Sequence, residues 1–525
     1  MRICLAALLL ATVASVVLSP TPAAAMPGGG PRFIECLSGK LAAKRTARVT
    51  GGCSPARTAA PDAHGSDLDH LRSLTAGPEG LSLYAVSSRD DSVLAFRTRP
   101  LLMRQCFTAN RTDRRGRPPC RLFPRAGTED AASGFNGVRF IAVSPDGRNA
   151  YTTSADAAIG IFARNRRTGG LRYEGCITGR IGRGSSAQSG ACTPIPTATP
   201  VARGIHSGIG DPTSLAFSPD GRFLYVAARG DAGVATFFRQ RDGSLAFRGC
   251  LTGGISGVVA GFSTACTLIA DAAGTRTATV LRAISSIAIS PDGTSVYATS
   301  PRKAAISVFA RDPAGGGIAY RGCISGEHGR PGTAGMTCTP IPTAGEIPAD
   351  SGMWGIDRLA ISRDGRWLYG AARSDNAIVR FSRDPAGGAL AYAGCITADR
   401  ELGGFRGGAN PCAAPARDNR FGAALGRPAD LILSRNGRSL YVAAAGNSAI
   451  VRLARDPAGG ALSFSTCLTA NPAFARPAGL CKLARAPRGR HQLGFAGLNS
   501  LAFAGGDLYA AAGGQSAVTR FAPDG

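Results

Sequence analysis

The chain has 525 residues, 44% of them hydrophobic and 18% charged, and its formal net charge is +26. A strongly basic surface attracts nucleic acid, anionic lipid or acidic polysaccharide. Arginines are scattered through the whole chain, without runs that interleave with aromatics, so the pattern argues against a nucleic-acid-binding protein. We interpret most of the charge as a solvated surface and keep anionic envelope polymers as one kind of partner.

The N-terminus predicts an export signal over residues 1–25. Arg2 supplies a positive start, Leu5–Val17 is apolar, and Ala23–Ala25 is a small-residue cleavage site. The apolar run is shorter than the roughly 18 residues of a membrane-spanning helix, and no comparable segment follows. Cys4 lies too early in the chain to be a lipoprotein cysteine. We therefore expect a secreted, periplasmic or cell-envelope protein without a membrane span.

Residues 26–525 contain seven copies of one repeat. Each copy is anchored by a tyrosine, and successive tyrosines lie 67 to 74 residues apart. The anchoring tyrosines are Tyr84, Tyr151, Tyr225, Tyr297, Tyr369, Tyr441 and Tyr509. Length alone would suggest about three domains, but internal repetition takes precedence and predicts one repeat domain over residues 26–525.

Each repeat predicts four short strands. An apolar strand ends in a Ser-Pro-Asp-Gly turn (Ser218–Gly221), and a second strand holds the tyrosine (Phe223–Ala227). A third strand alternates (Ala377–Phe381), and an Arg-Asp-Pro-Ala-Gly-Gly turn (Arg383–Gly388) leads to a fourth strand that ends at a cysteine. Seven such units predict an all-β, seven-bladed β-propeller of four-stranded antiparallel blades.

The chain ends predict how the ring closes. The last repeat stops at Gly525, where its fourth strand should begin, while residues 31–39 match an orphan fourth strand. We expect residues 31–39 to pair with the C-terminal blade, which removes the open edges of the ring.

The cysteines predict one local disulfide per repeat. Removing Cys4 with the signal leaves 14 of the 15 cysteines, an even and regularly spaced set, as in exported proteins. The predicted pairs are Cys36 with Cys53, Cys106 with Cys120, Cys176 with Cys192, Cys250 with Cys266, Cys323 with Cys338, Cys395 with Cys412 and Cys467 with Cys481. They hold the long connections between blades, either for stability alone or to keep a rigid crown for recognition.

The mouth of the central channel is the expected ligand site. Repeat alignment places these residues at the starts of inner strands: His70, Arg72, Arg139, Asp211, Asp357, Arg358, Arg427, Asp430 and Asn499. Loops between second and third strands add Arg89, Asp90, Asp231, Arg373, Asp375 and Asn447. Such groups can bind an anion, polarise a carbonyl or activate water, or they can pair with one another around a wet channel.

The sequence predicts no metal site and no cofactor. The five histidines, His64, His70, His206, His328 and His491, have no metal-ligand spacing, and no C-x-x-C motif is present. His70 and His206 are the two expected nearest the mouth. The catalytic residues stay unassigned.

The motifs Ser-Pro-Asp-Gly-x-x-x-Tyr-Val-Ala and Arg-Asp-Pro-Ala-Gly-Gly-Ala-Leu resemble those of the β-propeller fold lactonase family. This group includes phosphogluconolactonase-like, carboxymuconate-cyclase-like and Tyr-Val-Thr-Asn repeat proteins. The chain is most similar to exported bacterial members with a Gly-Cys-Ile-Thr/Ser-Gly element in each blade, here Gly175–Gly179 and Gly322–Gly326. The resemblance covers residues 31–525 and implies the fold. Family enzymes open lactone rings, but these motifs form turns and strands, so no catalytic residue is transferred.

Two functions remain open after the sequence. The leading hypothesis is an exported, monomeric, noncatalytic propeller that binds a small molecule, glycan or protein. The alternative is a lactone hydrolase of the phosphogluconolactonase or carboxymuconate-cyclase type, with His70, Asp357 and Arg358 at the mouth.

Overall fold

A computed structural model gives the architecture of the chain. It describes residues 30–40, 53–60, 66–110, 120–127, 133–200, 203, 205–253, 266–269, 279–327, 338–345, 351–397, 412–413, 424–472, 481–484 and 494–523. The predicted signal, residues 1–25, and three of the histidines (His64, His328 and His491) lie outside the described residues.

The described strands form seven sheets, one for each predicted repeat. The chain starts with β1 (Arg32–Lys40) and β2 (Ser54–Ala60), which join the last blade. Blade one contains β3 (Leu71–Ala76), β4 (Ser82–Ser87), β5 (Ser92–Arg97), β6 (Leu102–Asn110) and β7 (Arg121–Gly127). Blade two contains β8 (Phe140–Val143), β9 (Asn149–Ser154), β10 (Ala158–Arg164), β11 (Leu171–Arg180) and β12 (Thr193–Thr199). Blade three contains β13 (Pro212–Phe217), β14 (Phe223–Ala228), β15 (Gly233–Arg239), β16 (Leu245–Thr252) and β17 (Thr267–Leu268).

The remaining blades repeat this order. Blade four contains β18 (Ser286–Ile289), β19 (Ser295–Ser300), β20 (Ala305–Arg311), β21 (Ile318–Glu327) and β22 (Thr339–Gly345), with 3-10 turns at Thr279–Leu281 and Pro301–Lys303. Blade five contains β23 (Ile356–Ile361), β24 (Trp367–Ala372), β25 (Ala377–Arg383), β26 (Leu390–Thr397) and β27 (Cys412–Ala413). Blade six contains β28 (Pro428–Leu433), β29 (Ser439–Ala444), β30 (Ala449–Arg455), β31 (Leu462–Thr469) and β32 (Cys481–Leu483). Blade seven contains β33 (Leu498–Ala504), β34 (Asp507–Ala512) and β35 (Ala517–Ala522).

The ring closes as the chain ends predict. Strand β1 pairs antiparallel with β35, with Cys36 opposite Thr519 and Leu37 opposite Val518. The innermost strands contact one another in order around the ring, and β33 of blade seven contacts β3 of blade one. The N-terminal strand therefore supplies the fourth strand of blade seven. The predicted seven-bladed propeller is confirmed.

Each sheet has a fifth strand that the sequence analysis did not predict. It pairs parallel with the fourth strand, as β12 does with β11 and β22 with β21. All seven predicted disulfides form, with Cα–Cα distances of 4.5 to 4.7 Å. Each disulfide joins the fourth strand to the start of the fifth. The cross-link thus holds the returning chain against the sheet edge, where two prolines, as in Thr193–Thr199, are tolerated.

The seven anchoring tyrosines lie between neighbouring blades. All seven are fully buried. Tyr225 donates a hydrogen bond of 2.7 Å to the carbonyl of Gly316 in the next blade, and Arg311 of that blade donates to the Tyr225 hydroxyl at 2.6 Å. The repeated tyrosine and the arginine that ends the third strand therefore fasten each blade to the next.

Seven disulfides indicate an oxidising compartment for the folded protein. Across the described part of the chain, no helix has the length and apolar character needed to cross a bilayer.

Candidate functional site

Every blade enters its inner strand through one left-handed residue. Its φ angle lies between 50° and 76° in all seven blades. The residues are His70, Gly137, Asp211, Ala283, Gly355, Arg427 and Gly497. This conformation favours glycine, so the candidates His70, Asp211 and Arg427 occupy strained backbone positions at one end of the channel.

A bulge follows the left-handed residue in most blades. The strand register shifts around Arg72, Thr213, Asp357, Ala429 and Asn499, each of which lies between two paired residues. A bulge removes a residue from the hydrogen-bonded ladder and re-aims its side chain. Arg72, Asp357 and Asn499 are the polar candidates that lie at such bulges, near the start of an inner strand.

Arginines from several blades converge on Arg72. Burial, the charge of Arg139 and the charge of Arg373 lower the pKa of Arg72. Arg229 and Arg89 act in the same direction. These five residues come from blades one, two, three and five, so positive charges from several blades act on one another. Like charges at this range repel, and an anion between them would relieve the repulsion.

Asp211 balances two of these arginines. Its carboxylate accepts a hydrogen bond from Arg139, and Arg229 binds its other oxygen through Nε at 2.8 Å and Nη2 at 2.7 Å. Asp211 is thus held by two guanidinium groups from blades two and three. Asp211 therefore orients the two arginines.

Asp357 and Arg358 form a looser pair in blade five. The Arg358 Nη1 lies 3.5 Å from the Asp357 Oδ1, and both side chains are about one-quarter exposed. Burial and the charge of Arg427 lower the pKa of Arg373, while Asp357 opposes them. The buried Nε of Arg373 has no hydrogen-bond partner among the described residues. This side of the mouth therefore has an uncommitted donor beside a partly exposed carboxylate.

Asp430 joins blades six and seven. Its Oδ2 accepts a hydrogen bond of 2.7 Å from the Leu501 backbone N–H, and its Oδ1 accepts one of 3.0 Å from Leu431. Burial raises the pKa of Asp430, and the charge of Arg358 partly opposes that shift. The next contact around the ring is similar, since the Asn499 side chain donates to the Leu71 carbonyl at 2.7 Å. Asp430 thus links blade six to blade seven, and Asn499 links blade seven to blade one.

His70 carries the titratable group of the mouth in blade one. Burial and the charges of Arg72 and Arg89 lower the pKa of His70, while Asp69 opposes them. The imidazole is therefore neutral at neutral pH and can accept a proton or a hydrogen bond.

Three acidic candidates accept hydrogen bonds from backbone N–H groups in the turn that precedes each inner strand. Asp231 accepts hydrogen bonds from the backbone N–H groups of His206 (2.5 Å), Gly208 (2.7 Å) and Gly210 (2.7 Å). Asp90 accepts from the Asp69 N–H, and Asp375 accepts from the Trp354 N–H, both at 2.8 Å. Their carboxylates replace missing backbone partners in the turn before the inner strand. The sequence placed Asp90, Asp231 and Asp375 among the mouth ligands, whereas their observed role is structural, and Asn447 occupies the same loop position in blade six.

Two mouth residues are absent from the sequence-based candidates. Arg229 occupies the same position after the second strand as the candidate Arg373. Alignment of the repeats could therefore have identified Arg229. Trp354 precedes the left-handed residue of blade five and is 40% exposed. Its backbone carbonyl accepts the Ser374 N–H at 3.1 Å, which places it beside the loop of Arg373. Nothing in the repeat pattern marks this tryptophan.

One group among the described residues has metal-ligand proximity: Asp67, Cys106 and Cys120. Cys106 and Cys120 are joined in a disulfide, so their sulfurs are not thiolate ligands.

No protein-family model matches the chain, and no curated protein matches it significantly in sequence. Among solved structures, the periplasmic gluconolactonase of Pseudomonas aeruginosa is similar with a TM-score of 0.45 and 16% identity, over 75% of this chain and 83% of that one. Hydrazine synthase of Kuenenia stuttgartiensis is similar with a TM-score of 0.47 and 15% identity, over 86% of this chain and 96% of that one. A streptogramin B lyase is similar with a TM-score of 0.44 and 11% identity, over 86% of this chain and 93% of that one. Likenesses this weak carry no argument about chemistry.

Proposed function

We propose that this protein is an exported binding protein whose channel mouth captures a small organic anion, such as a sugar acid. The observation that carries the proposal is the convergence on Arg72 of charges from Arg89, Arg139, Arg229 and Arg373. Arg72 lies at a bulge of its inner strand, and Asp211 binds Arg139 and Arg229, so these side chains are held before a ligand arrives. A site organised in advance spends less ordering entropy on binding.

The charge balance of the mouth favours an anion over a cation or a neutral sugar. Asp211 is already paired with two arginines. The buried Arg373 Nε has no hydrogen-bond partner in the described part of the chain, and a carboxylate or phosphate oxygen would satisfy it. Trp354 offers an exposed ring beside the same loop, on which the apolar face of a sugar can pack. A sugar acid combines both features.

Isothermal titration with gluconate, sulfate and uncharged glucose tests the proposal. We expect gluconate to bind, glucose to bind far more weakly, and Arg72→Ala and Arg373→Ala each to weaken gluconate binding at least about tenfold, as expected for a lost charge-assisted hydrogen bond. Arg435→Ala, which removes an exposed arginine in a Ser-Arg-Asn-Gly turn, is the matched control. Absence of anion binding, or equal loss in the Arg435 control, would overturn the proposal.

Lactone hydrolysis is the second candidate, and His70 favours it. A neutral imidazole at the mouth can act as a general base, and the partly exposed Asp357 is the least constrained of the three mouth carboxylates Asp211, Asp357 and Asp430. Gluconolactone and acyl-lactone opening would be followed at neutral pH. Ring opening that disappears in His70→Asn, Asp357→Ala and Arg358→Ala would establish catalysis. Turnover that is equal in all variants would exclude it.

A further inference from the structure

A second basic site lies on the outer rim, between blades one and two. It is a crevice of about 730 Å³ lined by the third and fourth strands of blade one and by the hairpin before β11 of blade two. Five arginines line it, and none of its described lining residues is Asp or Glu. They are Arg97, Arg99, Arg104, Arg121 and Arg167.

Two of these arginines, Arg97 and Arg99, make contacts within the fold, and the other three are exposed. The Nη2 of Arg99 lies 2.7 Å from a carboxylate oxygen of Asp507, and Arg97 donates to the Arg99 carbonyl at 2.7 Å. Arg104, Arg121 and Arg167 are exposed and form no ion pair with any described residue. Their charges are therefore available to a ligand at no cost to the fold.

The corresponding crevice between blades five and six is different. It is formed by the same strands and hairpin but measures about 270 Å³ and contains one arginine, Arg380. That guanidinium packs over the Trp367 ring, 5.3 Å from its centroid, and Arg380 donates to the Ala393 carbonyl at 3.0 Å. In that crevice the arginine serves blade packing, whereas Arg104, Arg121 and Arg167 between blades one and two form no ion pair with a described residue.

The sequence of blade one explains the wider crevice. Its hairpin between the third and fourth strands, Thr98–Leu101, lacks the Pro-Ala-Gly-Gly turn of other blades. Gln105 occupies the position that a glycine with positive φ occupies in other blades, such as Gly175 in blade two and Gly249 in blade three. Its amide donates to the Leu171 carbonyl at 2.7 Å and accepts the Leu171 N–H at 2.8 Å. These two hydrogen bonds between Gln105 and Leu171 hold the two walls of the crevice together.

We propose that this crevice, which we call the rim crevice, binds an acidic polysaccharide, a sugar chain that carries repeated carboxylate or sulfate groups. Five arginines on three strands and two hairpins suit repeated charges along a chain better than one small anion. Leu81, 62% exposed at the edge, offers an apolar surface for sugar rings. Single-stranded nucleic acid needs exposed aromatics for base stacking, and Phe96, the aromatic residue of the lining, is buried.

The test is fluorescence anisotropy of the full chain with a labelled polygalacturonate oligomer in 150 mM salt, about physiological ionic strength. We expect the triple variant R104A/R121A/R167A to bind at least about tenfold more weakly than the unchanged chain, since three charge-assisted contacts are lost. The control R302A/R366A/R435A removes the same charge from exposed arginines elsewhere and should change affinity by less than about threefold, because screened charges at a distance contribute little. Circular dichroism and disulfide mapping verify that both variants are folded.

The remaining outcomes decide against the rim crevice. Equal losses in both triple variants would show that net charge alone drives binding. Equal affinity for a single-stranded DNA oligomer of matched charge, lost in the same variant, would assign the crevice to another polymer class. No oligomer binding would also overturn the proposal. Arg72→Ala should leave oligomer binding unchanged, so a failure of the channel-mouth function and a failure of the rim crevice are distinguishable.

Discussion

The Tyr297 hydroxyl of blade four donates a hydrogen bond of 2.7 Å to the Gly388 carbonyl of blade five. Arg383 of blade five donates to the same hydroxyl at 2.7 Å. Corresponding bonds run from Tyr84 to Gly169 and from Tyr369 to Gly460. The Tyr hydroxyl is therefore a polar contact shared between neighbouring sheets.

Replacing Tyr297 with Phe should lower the free energy of unfolding by about 1–3 kcal/mol, because two buried partners lose their hydrogen bond. Urea denaturation measures the change. Tyr173→Phe is the control, since that hydroxyl contacts the sulfur of Cys176, a weak acceptor. A loss below about 0.5 kcal/mol for Tyr297→Phe would mean that packing alone joins the blades.

Asp292 should make the fold sensitive to acid. Burial opposes ionisation, but hydrogen bonds from Ser290, Thr294 and Arg383 lower the pKa of Asp292 to about 2 from its usual 3.8. A lowered folded-state pKa contributes stability that is present above pH 3.8 and is lost as the pH falls toward 2. Asp292→Asn should therefore be less stable than the unchanged chain at pH 7, and the difference should shrink toward pH 2. Unfolding free energies that differ equally at both pH values would contradict this.

Removing one disulfide should weaken the protein without opening the ring. Cys323 and Cys338 close a segment of sequence separation 15, which is worth roughly 3 kcal/mol in the chain-entropy model. The double variant to Ala should keep its far-ultraviolet circular dichroism and lose about that much unfolding free energy in urea. Loss of native spectrum before denaturant is added would show that the fifth strand is essential to the blade.

Anion binding at the mouth should tighten as the pH falls from 7.5 to 5. Burial and the charges of Arg72 and Arg89 lower the pKa of His70 from its ordinary 6.5, against Asp69, so the imidazole gains its charge only below that pH. A bound anion favours the charged imidazole, and linkage then requires tighter binding at lower pH. Titrations with sulfate, a strong-acid anion, should show a few-fold gain that disappears in His70→Asn. A gain that persists in this variant would assign the effect to other groups.

The blade number and the disulfide pairs could be predicted because they depend on local repetition. Turn residues such as Ser218 and Asp220 act on their own neighbours: the Phe223 N–H bonds Ser218 Oγ at 2.9 Å, and the Arg222 N–H bonds Asp220 at 3.0 Å. Each cysteine pair likewise lies within one connection. The parallel fifth strand was missed because its two-residue or proline-containing segments carry no alternating pattern of their own.

The mouth candidates divide according to backbone geometry that residue types do not show. Asp231 and Asp211 belong to the same blade and look alike in sequence, yet one binds three backbone N–H groups and the other binds two arginines. The aligned glycines Gly137, Gly355 and Gly497 were the available signal for the left-handed position that Asp211 shares.

The sequence by itself determined the seven repeats, their turns, the partners of the cysteines and the N-terminal strand that closes the ring, because each depends on short-range pattern or on one complementary segment. Only the tertiary structure decided which arginines of different blades act on one another and which arginines of the rim crevice form no ion pair with a described residue. Coulomb interactions act through space between blades, and the distances between residues such as Arg72 and Arg373 are set by closure of the ring.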